Sequence, residues 1–399
     1  MRSRPDFARS LRSRMLLVAL TISWVPMGES FGSSPKPNLK ELMTISSEDI
    51  PGDYDRLYTG AFAIAPDDRT VVAGFTVSQV EAKPSLWLGK WEVGSKRLLV
   101  QTTLQPASKK TPISFALMAL QFAPSGKLLL AQTDEGIDIF DAGNLKIVHS
   151  IHIASQNFTI SGDGHILALV SKQRPSLVHI INLDSGEEMA SWVVPSQVRA
   201  FHPTSLSIRG AQMLMVSPGS PPDILLVDSF SGKLLRTFAS GFSYGPPGYG
   251  LDKAQFIDDN QFLASTDNNT NTSGHYAGQS IKIVDVHSGA IVRELTYKHF
   301  GPTPYVFVSR QSGALAMVNC WRSPSENRVD VEKPAQLLVF RLDQTKPFCV
   351  IEHFPQAQGT ISGDPVQASI DLNLIGVYLS DRITVYEIAN CNPVAGSDH

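Results

Sequence analysis

The chain has 399 residues, 42% of them hydrophobic, enough to bury a core in one large domain or two ordinary ones. Charged residues make up only 18%, and the formal net charge is −3. Without residues 1–30 the balance is 29 Lys plus Arg against 35 Asp plus Glu, which leaves no electrostatic footprint for nucleic acid or an anionic membrane.

The N-terminus reads as an export signal, residues 1–30. Arg2, Arg4, Arg9, Arg12 and Arg14 precede an apolar core, Met15–Val25, which ends at Pro26 and a run of small residues. At 1.5 Å per helical residue that core spans about 16 Å, too short for a hydrocarbon layer of about 30 Å. Cleavage after Ser30 or Gly32 suits the small residues there. No transmembrane segment is expected in the mature chain, and the expected location is secreted or periplasmic.

Next comes NLKELMTISS (Asn38–Ser47), a lone strand. Seven similar units follow, at Phe62–Thr102, Gln121–Ile151, Phe158–Trp192, Ala211–Phe238, Ala254–Leu295, Val306–Phe354 and a shorter one closing at Ile388. In each unit a strand ends at a polar turn such as APDD, APSG, SGDG or IDDN, and a second apolar strand follows. A loop of variable length leads to an alternating third strand, as in IDIFD, ILLVD and IKIVD, then a Gly-containing turn and a fourth strand. The apolar runs are too short for helices.

Four short strands per period of about 40 residues is the sequence sign of a propeller blade. The expected fold is therefore all-β: one propeller over residues 31–391, with seven blades or at the limits six to eight, and a C-terminal tail at 392–399. The seventh unit supplies only three strands. The lone N-terminal strand is expected to complete that blade and remove the exposed sheet edges.

Asp184-Ser-Gly, Asp228-Ser-Phe-Ser-Gly and Asp285-Val-His-Ser-Gly resemble the turns of WD-repeat and YVTN-type β-propellers. The Gly-His pair and the Trp-Asp strand ends of typical WD repeats are missing. The resemblance is therefore nearer to bacterial YVTN and quinoprotein amine-dehydrogenase-like propellers than to eukaryotic scaffold proteins. Asp141, Asp184, Asp228 and Asp285 stand where the repeat Asp would be. Quinoprotein dehydrogenases also carry a D-x-x-TGK-x-x-W element, which Val227–Phe238 approaches without the Trp, so no quinone cofactor is expected.

Catalytic motifs are missing as well. The sequence has no Gly-x-Ser-x-Gly elbow, no His-Glu-x-x-His, no Cys-x-x-Cys-His and no phosphate-binding Gly-x-x-x-x-Gly-Lys. No catalytic residue, metal or cofactor is assigned. His149, His152 and His202 read as strand-edge or turn residues. Asp67-Asp68 and Asp258-Asp259 read as turn formers that bond their own backbone. Asp134, Asp138 and Asp141 suggest a ligand cluster only until comparison with the other units makes Asp141 a repeat-wide turn residue. Cys320, Cys349 and Cys391 permit one bridge, with Cys349–Cys391 the first pair to test. Asn157, Asn268 and Asn271 match the glycosylation acceptor pattern.

The loops carry the functional expectation. Thr76–Ser85, Leu104–Pro112, Ala239–Gly250, Asp267–Ser280 and Trp321–Gln336 are long, and in a propeller they emerge on one face. They bring Tyr244, Tyr249, His275, Tyr276, Trp321 and Arg322, residue types enriched at recognition surfaces. The expected function is binding of a protein or extracellular ligand on that face, with no nucleic-acid partner. The alternatives are a lactonase- or dehydrogenase-like enzyme using the central channel, and a structural subunit of a cell-envelope assembly.

Overall fold

A computed structural model of the chain describes residues 38–52, 56–78, 85–105, 117–174, 176–194, 202–216, 224–238, 254–267, 279–295, 297, 305–319, 335–355, 365–379 and 382–391. They form seven four-stranded antiparallel sheets, the blades of a β-propeller. After β1 (Asn38–Ser46), blade 1 takes β2 (Arg56–Ile64), β3 (Thr70–Ser78), β4 (Ser85–Glu92) and β5 (Leu98–Leu104). Blade 2 takes β6 (Leu117–Phe122), β7 (Leu128–Thr133), β8 (Ile137–Asp141) and β9 (Lys146–Ile151). Blade 3 takes β10 (Ser155–Ile160), β11 (Ile166–Ser171), β12 (Leu177–Asn182) and β13 (Glu188–Val193). Blade 4 takes β14 (His202–Leu206), β15 (Gln212–Val216), β16 (Ile224–Asp228) and β17 (Leu234–Phe238). Blade 5 takes β18 (Ala254–Phe256), β19 (Gln261–Asp267), β20 (Gln279–Asp285) and β21 (Ile291–Leu295). Blade 6 takes β22 (Tyr305–Ser309), β23 (Ala314–Asn319), β24 (Ala335–Arg341) and β25 (Cys349–Phe354). Blade 7 takes β26 (Val366–Ala368), β27 (Leu374–Leu379) and β28 (Arg382–Ala389), with β1 as its fourth strand.

The lone strand read from the sequence thus closes the ring. β1 runs antiparallel to β28, from Asn38 opposite Ala389 to Ser46 opposite Arg382. Met43 and Ile45 turn inward and are fully buried.

The blade sequences follow from where each strand sits. Middle strands lie between two neighbouring blades, so both faces are buried and the run is continuously apolar, as in ILALVS of β11. Outer strands face water and read as mixed, as in KIVHSI of β9. The core is accordingly not one mass but seven clusters, one per seam between blades. Leu86, Leu88, Leu117, Leu129 and Phe140, for example, fill the seam between blades 1 and 2. No blade buries its faces alone, which is the physical reason for repetition.

A recurring clasp fastens these seams. In blades 2, 4 and 5 the outer strand carries a register shift that sets His149, Arg236 and Arg293 opposite Ile139, Leu226 and Ile283. Each of the three side chains reaches the carbonyl just past the third strand of the next blade. His149 Nε2 meets the Asp184 carbonyl at 2.8 Å, Arg236 bonds the Val286 carbonyl at 3.2 Å, and Arg293 bonds that of Leu342. In blade 3 the role passes to Trp192, whose Nε1 donates to the Ser229 carbonyl at 2.7 Å. Lys90 of blade 1 donates to the Ala142 carbonyl at 2.7 Å.

The Gly of the repeat turn serves this clasp. Gly186 (φ +71°) and Gly232 (φ +69°) sit in the left-handed region, which favours Gly, and lie directly beneath the rings of His149 and Trp192. Any Cβ there would meet the clasping ring. In blade 7 no turn joins the third strand, β28, to the fourth, because that fourth strand is β1 from the N-terminal side. At the seam between blades 6 and 7 a Cys349–Cys391 disulfide stands where the hydrogen-bonded clasp would be, joining β25 to the residues after β28.

One sequence alignment is corrected. Asp141, Asp228 and Asp285 cap their turns, accepting backbone N–H bonds from Gly143, Ser231 and Ser288. In blade 3 that position is Asn182, which accepts from Asp184 and Ser185. Asp184 lies two residues further on and pairs with His165. A carboxamide oxygen makes the same cap as a carboxylate, so the search for Asp slid past the equivalent residue.

Candidate functional site

The innermost strand of every blade lines a central channel of about 750 Å³. Counting back from the turn that ends each inner strand, one residue per blade stands at the same level: Ala63, Gln121, Thr159, Ser205, Gln255, Phe307 and Gln367. Asn157 lines the wall two residues before Thr159. Gln121, Asn157, Gln255 and Gln367 are half-buried or exposed. Among the described residues their side chains make no hydrogen bond, whereas Ser205 Oγ accepts from the Phe256 N–H at 3.0 Å. The wall is therefore rich in unused carboxamides. Among the described lining residues Arg310 is the one charged group.

Arg310 follows β22 directly and crosses the channel mouth on the short-turn face. Its Nη2 donates to the Phe256 carbonyl of blade 5 at 3.1 Å. Its guanidinium also fills the space a Cβ on Gly162 of blade 3 would need. Burial lowers the Arg310 pKa, and the carboxylates of Asp259 and Asp258 act against that shift.

The paired turn acids divide their work. Asp67 and Asp258 accept from the backbone of their own turns, at Arg69 and at Asn260 and Gln261, as read from the sequence. Asp68 and Asp259 instead fasten neighbouring blades. Asp259 accepts from the Ile208 N–H at 2.9 Å, and Asp68 accepts from Asn373 Nδ2 at 3.1 Å across the seam between blades 7 and 1. Burial, aided by the carboxyl of Asp371, pushes the pKa of Asp68 up to about 6.

Asp138 accepts from Ser150 Oγ at 2.6 Å, and Asp141 is the turn cap. Among the described residues no group of three or more His, Cys, Asp or Glu side chains could hold a metal ion. His152 is exposed beyond the end of β9, and His202 opens β14. The acceptor site at Asn157 lies on the innermost strand, a poor place for a glycan. Tyr244, Tyr249, His275, Tyr276, Trp321 and Arg322 lie outside the described residues, as do residues 1–37.

The channel carboxamides are the residues that sequence reading missed. The signal was a polar residue at the same step inside an otherwise apolar first strand: LMALQF, AQF and VQA. Amid strong turn signals, a lone Gln carries little weight until the register shows that several blades aim theirs at one axis. No protein-family model and no curated protein matches the chain.

Proposed function

We propose that this protein is an exported propeller of the WD-repeat and YVTN kind that binds a protein or extracellular ligand through the face bearing its long connections. One observation carries the reading. Connections from first to second and from third to fourth strands leave one face, and none is longer than 342–348. The second-to-third and blade-to-blade connections, which begin and end at the opposite strand ends, include 105–116, 239–253, 268–278 and 320–334. A rigid ring trimmed on one side and elaborated on the other is a scaffold on which variable loops make contacts.

Export is supported by the basic and apolar pattern of residues 1–30 and by the Cys349–Cys391 pairing, since disulfides persist in oxidising compartments. A channel enzyme would draw its acid and base from the wall, where Arg310 is the one charged side chain among the described residues. Among the described residues no helix is long and apolar enough to cross a membrane.

The test is capture of partners from the cell-envelope fraction by wild-type protein and by Trp321→Ala and Tyr276→Ala variants. Loss of a specific partner with folding intact is the expected result. An unchanged set of partners would remove that patch from the reading.

A further inference from the structure

We propose that the central channel is a second site, one that binds a neutral polyhydroxylated small molecule of one or two sugar rings through Gln121, Asn157, Gln255 and Gln367. The size fits: about 750 Å³ falls within the roughly 300–1,000 Å³ of small-molecule sites.

The chemistry narrows the class. Each carboxamide offers both a donor and an acceptor, matching a hydroxyl, which is also both. Four such groups from blades 2, 3, 5 and 7 surround one axis, and none makes a hydrogen bond among the described residues. An apolar ligand would strand those amides without partners, at about 1–3 kcal/mol for each group buried unsatisfied. A cation would meet no carboxylate among the described lining residues. A polyanion would find Arg310 alone among the described lining residues, its charge already offset by the carboxylates of Asp259 and Asp258.

Phe307 stands on the same level as the Gln side chains, and Phe158 also lines the wall. Both are half-buried, and an aromatic face beside carboxamides suits the C–H face of a sugar ring. Glycoside cleavage requires two carboxyl groups flanking the bond. The described lining supplies none, so the site binds rather than hydrolyses.

Saturation-transfer NMR on the full chain, with glucose, N-acetylglucosamine and cellobiose as probes and glucose 6-phosphate as the charged control, tests this directly. At least one neutral sugar should receive transfer. A Gln255→Ala/Gln367→Ala variant should bind that sugar at least tenfold more weakly with an unchanged melting temperature, because neither side chain makes a hydrogen bond among the described residues. Arg310→Gln should change the neutral-sugar affinity less than twofold. Should the double variant misfold, Asn157→Leu offers the same reading from another blade. The proposal is overturned if no neutral sugar receives transfer, if the folded variant binds unchanged, or if only the phosphorylated sugar binds.

Discussion

The disulfide at the seam between blades 6 and 7 gives the sharpest stability prediction. Cys349 and Cys391 are 42 residues apart in sequence. In the chain-entropy treatment, a loop of that size restricts the unfolded state by about 4 kcal/mol at 25 °C. Unfolding entropy of roughly 2.1 cal/mol/K per residue over a ring of about 350 residues amounts to about 0.7 kcal/mol/K, so removing the bridge should lower the Tm by about 5–6 °C. Cys391→Ala is the preferred perturbation, because Cys349 is buried in the cluster between blades 6 and 7 and its truncation would add a cavity. Thermal unfolding by circular dichroism, with and without dithiothreitol, separates the contributions. Reductant should bring the wild type down to the variant's Tm and leave the variant where it is. Equal melting of the two proteins, or an equal drop in both on reduction, would refute a bridge at this seam.

Deleting residues 31–48 removes the fourth strand of blade 7. Burial of Met43 and Ile45 alone accounts for about 3–6 kcal/mol. Calorimetry should show a sharply lower Tm, and light scattering should report association through the bared edge of β28; an unchanged melt would contradict closure. Gly232→Ala meets both a left-handed backbone, at about 1–2 kcal/mol, and the ring of Trp192. It should destabilise by about 2–3 kcal/mol in urea, whereas Gly313→Ala, with φ +59° and open space around it, should lose only about the backbone share. Asp68 has a folded-state pKa of about 6 against 3.8 for the ordinary group. Ionisation therefore opposes folding above about pH 6, and the penalty fades as pH falls toward 4. Asp68→Asn should be more stable than wild type at pH 7 and no different near pH 4. A difference independent of pH would rule out that carboxyl as the cause.

Much of the architecture is legible from local chemistry. Turn residues at a fixed period mark the blades, and continuous apolar runs between them mark strands buried on both sides. The seventh unit falls one strand short of four, and the lone strand at Asn38–Ser47 supplies it, which predicts closure. Two kinds of feature escape such a reading. The clasps of His149, Trp192, Arg236 and Arg293 join residues about 35–50 apart through backbone carbonyls, which have no sequence signature. The channel carboxamides become a site only through the convergence of four blades on one axis, a property of the closed ring. Asp184 shows the converse error, in which a matching letter two residues out of register hides the residue that makes the cap, Asn182.

Recognition confined to one face is the central claim, and lysine cross-linking of a captured complex tests it most directly. Lys83, Lys109, Lys110, Lys253, Lys298 and Lys333 belong to the second-to-third and blade-to-blade connections, and Lys96, Lys127, Lys233 and Lys346 lie in the first-to-second and third-to-fourth turns. Mass spectrometry should place the partner's cross-links on the first group. Cross-links concentrated at Lys96, Lys127, Lys233 and Lys346 would contradict the account.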